Sequence, residues 1–255
     1  MHTKESLIKD IENSGIRRGG TLLIHSSMKS IGKVEGGADT VLDAFIEYMK
    51  DGMLLFPTHS WSDKNLVGGI YDPKIEPACV GILPNLFMKR EGVIRSMHPT
   101  HSVAALGKRA KEYVLRDEDV YTPCPRHGCF GGLYDEGAQL LFLGASLKTN
   151  TFIHSLEEYH NIPNRINSKT RRIKLIYENG DIREIDFAGH YSTLGDVSQN
   201  YDKLLNPMLK KGFAKETKIG DALSYVVEVK PMADWVIRLL WENPALFDDD
   251  KIIEE

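Results

Sequence analysis

The sequence predicts an α/β protein with one domain spanning residues 1–255, and three observations carry that reading. Strand-like apolar runs alternate with helix-period segments along the chain. The composition, 42% hydrophobic and 27% charged over 255 residues, suits a single large core. Several buried strands run into polar clusters, HSS after the first, PTHSW at the second and GASLKTN at the third. In open α/β sheets ligands sit outside the carboxyl ends of the strands, so three such clusters meeting there would make one site.

Taken in order, Thr3 can cap a short helix with Leu7, Ile8 and Ile11 on one stripe, ended by Gly15. TLLIH at 21–25 reads as a buried strand, followed by the polar run SSMKSIGKVEGG and a helix from Ala38-Asp39 carrying Val41, Leu42, Phe45, Ile46 and Met49. MLLFP at 53–57 is the next strand, and 62–80 reads as a long loop. GILPNLFMKREG at 81–92 gives a short helix, HSVAALG at 101–107 a strand, KRAKEYVL a helix and 122–132 a loop. QLLFLGA at 139–145 is the clearest strand, and Asn150 or Thr151 can cap a helix running through Tyr159 that must end before Pro163. Asn-Gly between the β-rich runs of 171–187 predicts a hairpin. A helix near 198–211, a strand near 225–229, the helix PMADWVIRLLWENP and a solvated, frayed tail DDDKIIEE complete the chain.

Charge and composition exclude several classes. The net charge is −4 and the basic residues are dispersed, which argues against nucleic-acid binding. The first fifteen residues carry charges every few positions and no apolar core of a secretory signal, and no run approaches a membrane span. Three cysteines, Cys79, Cys124 and Cys129, are too scattered for a disulfide framework. A cytoplasmic protein without membrane or nucleic-acid partners is expected.

Several segments could carry chemistry. HSSMKSIGKVEGG at 25–37 combines hydroxyls, glycines and Lys29 and Lys33 ahead of a helix N-terminus, which suits an anionic ligand as well as it suits a plain polar turn. Ser26 to Lys29 fits S-x-x-K, but the partner motifs of penicillin-binding enzymes are missing, and G-x-S-x-G is absent. His154 and Glu157 lie three apart on one helix face, where the carboxylate can fix the imidazole tautomer and support a general base; a surface ion pair is the plain alternative. His98-x-x-His101 with His59, Cys124 and Cys129 raises a metal-hydrolase alternative, although no H-E-x-x-H or C-x-x-C occurs and no metal is expected. A catalytically silent small-molecule-binding protein is the third class.

Read together, LLIHSSMKSIGKVEGGADTVLDAF at 22–45, GMLLFPTHSW at 52–61, VIRSMHPTHSVAALGKRA at 93–110, LYDEGAQLLFLGASLKTNTFIHSLEEY at 133–159 and GDALSYVVEVKPMADWV at 220–236 resemble the aminoglycoside 3-N-acetyltransferase family. The resemblance implies a layered α/β sandwich with a central mixed sheet flanked by helices, distinct from the GNAT fold. It implies transfer of acetyl from acetyl-CoA to an amine, such as the 3-amino group of a 2-deoxystreptamine drug, and it allows a homodimer. By matching position, His25, Ser26, Ser27, Met28, Lys29, Ser30, Ile31 and Gly32 would hold the pantetheine and pyrophosphate. His98, Thr100, Ser102 and Val103 would line the same channel, with Ser102 facing the cofactor. His154 falls on the family's histidine in N-T-x-x-H-x-x-E, and Glu157 on its partner. A polycationic acceptor would need carboxylates around it, for which Asp63, Glu158, Asp186 and Asp196 are candidates. Two departures, HGCFGGL at 127–133 and the sparse acids of 186–201, fall where the acceptor would be shaped.

Overall fold

A seven-stranded mixed sheet divides the protein into layers, with a three-stranded sheet beside it. The structure, a computed structural model, describes residues 1–62 and 64–253. The large sheet runs β4 (Ile94–Arg95), β5 (Val103–Gly107), β2 (Met53–Pro57), β1 (Thr21–Ser26), β6 (Gln139–Leu143), β10 (Ala222–Glu228), β9 (Ala214–Ile219). Its centre is parallel, Leu22 pairing with Leu54 on one side and Gln139 on the other, and its flanks are antiparallel. The three predicted central strands therefore point the same way, and their polar clusters come out at one edge.

Those strands are apolar without alternation because both faces are covered. Leu23, Leu55, Leu140 and Phe142 pack with α4 (Ala110–Val114), α5 (Cys129–Asp135), α6 (Thr151–Tyr159) and α8 (Val229–Glu242). Leu22, Ile24, Leu54, Phe56 and Leu141 turn the other way, against α1 (Lys4–Ser14), α2 (Ala38–Tyr48) and α3 (Ile82–Phe87). Thr3 caps α1 with a capping box completed by Ser6, and Gly15 ends it in the left-handed conformation.

The predicted hairpin is β7 (Ile166–Ile176) with β8 (Ile182–His190), joined by residues 177–181 with Gly180 at φ +86°. Its inner face, Ile173, Leu175, Ile185 and Phe187, makes a small core of its own.

Four expectations are corrected. The loop at 62–80 contains β3 (Ile70–Tyr71), which adds a parallel strand to the hairpin. The loop at 122–132 turns into α5 from Cys129. The helix near 198–211 is a 3-10 segment, Val197–Leu204, followed by α7 (Leu205–Lys211). The tail is solvated as expected, Ile252 being 84% exposed, but it is tied down where Asp248 pairs with Arg165 and Ile253 packs on the core, while Glu254 and Glu255 lie outside the described residues. The edge strand β9 was not anticipated, because AKETKI buries only Ala214 and Ile219 and leaves its charges in solvent. Among the described residues no helix is long and apolar enough to cross a membrane.

Candidate active site

The ends of β1, β2 and β6 open into a cleft of about 1110 Å³. His25 and Ser26 come from the end of β1, Pro57, His59 and Trp61 from the end of β2, and Lys148, Thr149, Thr151 and His154 from the chain after β6. Opposite stand Asn167, Lys169, Arg171, Phe187, Gly189 and His190 of the hairpin, then Asp196 to Gln199. The volume lies at the upper end of the range for small-molecule and cofactor sites.

His154 sits in the first turn of α6, whose N-cap is Asn150, without a side-chain capping bond. Glu157, one turn on, lies 3.1 Å from His154 Nδ1 through Oε2. Tyr201, from the 3-10 segment, donates its hydroxyl to the same oxygen at 2.7 Å and stands 2.9 Å from His154 Nδ1. Arg165 Nε donates to the other oxygen of Glu157 at 2.5 Å, and its Nη2 to Asp248 at 2.7 Å. Glu157 is 1% exposed and Arg165 3%. This is a buried ionic network, so a surface ion pair is excluded as its description. Burial pushes the Glu157 carboxyl upward, but His154 and Arg165 outweigh it and hold the group below the usual carboxylate range. A carboxylate facing Nδ1 keeps the imidazole proton there and leaves Nε2 with the lone pair.

His154 begins a row of four imidazoles, with ring centroids 4.2 Å to His190, then 4.9 Å to His101 and 4.7 Å to His59. Burial, then the neighbouring imidazoles, holds His59, His101 and His190 well below the ordinary histidine range, so all three are neutral at pH 7. His25, stacked on Phe142, is lowered to about 3 by burial alone. Ligand atoms of His101, Cys124 and His190 lie within 4.8 Å of one another. His98 does not join them. Its Nδ1 accepts the backbone N–H groups of Thr100 and His101, and its Nε2 faces the Thr122 carbonyl. Cys129 stands apart, its thiol against the Tyr113 carbonyl.

The predicted cofactor residues divide. His25, Ser26 and Thr100 line the cleft. Ser27 and Ser30 instead sit against the end of β6: Ser27 donates its N–H to the Leu143 carbonyl, and Ser30 donates its hydroxyl toward Ser27 and the Gly144 carbonyl. Gly144 is required there, since a Cβ would come within 2.4 Å of Ser30 Cβ. Met28 and Ile31 pack on the core, Lys29 lies on the same 3-10 turn, and Gly32, at φ +83°, abuts Asp221; none of these lines the cleft. Ser102, expected to face the cofactor, is sealed, donating to the Thr58 carbonyl at 2.8 Å and accepting from Arg95. His98 and Val103 are buried beside it and stay outside the cleft lining.

Of the acidic candidates among the described residues, only Asp196 reaches the cleft. Glu158 points the other way, accepts the Cys124 N–H, and is raised by burial to about 7. Asp186 faces solvent and pairs with Arg172 at 3.0 Å, and Asp63 lies outside the described residues. Sequence reasoning missed Tyr201, Arg165 and Asp248, which no local spacing links to His154. Asn161 and Asn164, both in the left-handed conformation at φ 51° and 61°, turn the chain after α6 and carry Arg165 back beneath Glu157.

Fold and site together define an α/β enzyme whose histidine, held by a buried carboxylate, opens into a large cleft at the strand ends. Residues 23–241 match the family described as Aminoglycoside 3-N-acetyltransferase, and the chain belongs to that family of acetyltransferases. It is 26% identical to aminoglycoside N(3)-acetyltransferase IX of Micromonospora chalcea over 92% of each chain. The fold matches the crystal structure of aminoglycoside acetyltransferase AAC(3)-Xa at TM-score 0.81 and 25% identity, covering 94% of this chain and 93% of that one. It also matches AAC-IIIb, solved as a binary complex with CoASH, at TM-score 0.77 and 21% identity over 94% and 97%.

Proposed function

We propose that this enzyme transfers acetyl from acetyl-CoA directly to the amino group of a small polar molecule such as an aminosugar, with His154 as the general base. The observation that carries the reading is the buried Arg165–Glu157–Tyr201 set converging on Nδ1 of a histidine that lines the cleft. An amine attacks only when deprotonated. His154 Nε2 takes its proton as the new C–N bond forms at the thioester carbonyl, and Glu157 steadies the imidazolium. The C–S bond then breaks, and the proton held on His154 returns to the departing thiolate. No acyl-enzyme is required. Cys124 and Cys129, buried with thiols pushed well above their usual range by burial, are unsuited as nucleophiles.

The donor fits the strand-end side of the cleft, which Ser26 and Thr100 line with hydroxyl groups. The CoASH complex of AAC-IIIb and the names of the family's members support donor and reaction. The test is amine-dependent thiol release from acetyl-CoA, absent in His154→Ala with the fold retained. The His101–Cys124–His190 group favours one rival chemistry. Stoichiometric zinc in the purified enzyme, with turnover lost on chelation, would replace this mechanism by a metal-dependent one.

A further inference from the structure

The hairpin carries two kinds of cation. On its outer face Arg172 pairs with Asp186 at 3.0 Å and Lys174 with Glu184 at 3.5 Å, and toward the turn Arg183, opposite Leu175, pairs with Asp119 at 2.8 Å. Lys169 and Arg171, which line the cleft, have no carboxylate partner among the described residues, and neither does Lys148 across from them. Arg171 shares the face of its cross-strand partner Phe187, so it stands on the cleft side of the strand. The fourth cleft cation, Arg165, is already neutralised by Glu157 and Asp248.

The negative side is thin. Among the described lining residues the one carboxylate is Asp196, and it is occupied capping the 3-10 segment, accepting from the Ser198 N–H at 3.0 Å, the Ser198 hydroxyl at 2.6 Å and the Gln199 amide at 2.9 Å. The imidazoles of His25, His59, His101 and His190 are neutral, so they neither add to nor cancel this field. A polyammonium acceptor would enter facing unpaired cations. An acceptor carrying a phosphate or carboxylate would meet a lysine and a guanidinium that can grip it, the latter with two parallel hydrogen bonds.

We propose that the acceptor is an anionic aminosugar, its phosphate or carboxylate held by Lys169 and Arg171 while its amine is presented to His154. This rests on the acetyl-transfer reading and narrows its acceptor. The assignment to acceptor and not donor follows from position, since these cations lie on the hairpin wall, opposite the strand ends assigned to acetyl-CoA.

The experiment compares glucosamine 6-phosphate, glucosamine and the polycation neomycin as acceptors, for the wild type and for Lys169→Gln/Arg171→Gln. The phosphorylated amine should exceed glucosamine in kcat/KM by about tenfold or more, as one to two charge-assisted contacts imply. The double variant should erase that advantage through KM for the acceptor, with KM for acetyl-CoA unchanged. Preference for neomycin, equal use of both glucosamines, or a defect confined to acetyl-CoA would overturn the proposal; the last outcome gives the cations to CoA phosphates. If no amine supports thiol release, the acetyl-transfer reading fails for these acceptors. The charge proposal is then judged by binding of glucosamine 6-phosphate to the CoA-loaded enzyme. Binding that the double variant abolishes supports it, and absent or unaltered binding overturns it.

Discussion

The two walls of the cleft differ in almost every physical respect. The strand-end wall is mostly buried and internally hydrogen-bonded, with His59 and His101 each under 10% exposed and Lys148 its one cation outside the His154 network among the described residues. The hairpin wall presents exposed, unpaired Lys169 and Arg171 on a strand with its own small core. Rigid, over-determined groups suit a reaction that must recur with the same geometry, while exposed charges on a separate sheet suit the choice of acceptor. A single chain can therefore keep its family's chemistry and change its substrate by altering the hairpin.

Substitutions on the buried wall should cost the most. His154→Ala is expected to lower kcat by about 10²- to 10⁴-fold with little change in Tm, the range for loss of a general base. A large loss of Tm instead would mean the residue is structural and would dissolve the contrast between the walls. Arg165→Met removes the guanidinium from a carboxylate buried to 1% exposure, and should lower stability by about 3 kcal/mol in thermal or urea unfolding. Because Glu157 is held below its ordinary range, the stability it contributes is present above the unfolded pKa and lost as pH falls through the folded one. In the variant that acid-side loss should begin at higher pH.

Glu158 provides the opposite sign. Its carboxyl is raised from 4.5 to about 7, so the folded state binds the proton more tightly. That contribution is complete below pH 4.5 and disappears as pH rises to 7, a change of roughly 3 kcal/mol at most before relaxation and solvent screening reduce it. Glu158→Gln, which can still accept the Cys124 N–H, should flatten stability across that window. An unchanged slope would show that other groups set it. The smallest effect belongs to Tyr201→Phe, which deletes one hydroxyl donor to Glu157 and should cost about 1 kcal/mol, less than tenfold in kcat. A shift in the pH–rate profile, together with that loss, would separate a positioning role from simple packing.

Much of the buried wall was legible because strand burial and strand-end polarity are local signals. Three apolar runs, each followed by polar residues, announced both the sheet centre and the edge where the cleft lies. The i,i+3 spacing of His154 and Glu157 was equally local. Arg165, Tyr201 and Asp248 were not, since their meeting depends on a left-handed turn at Asn164, a 3-10 segment and an anchored tail. Edge strand β9 escaped because solvent-facing charges mask its pattern. The acidic candidates show the limit from the other side. Glu158 and Asp186 have the right chemistry, yet neighbouring elements turn one inward and pair the other on the outer face.

The central claim is that His154, oriented by Glu157, takes the proton of an attacking amine. Steady-state thiol release from acetyl-CoA with an aminosugar, measured across pH for wild type and His154→Ala, tests it most directly. The account predicts amine-dependent release in the wild type and its loss at every pH in the variant. Amine-dependent release at the wild-type rate in His154→Ala would contradict it.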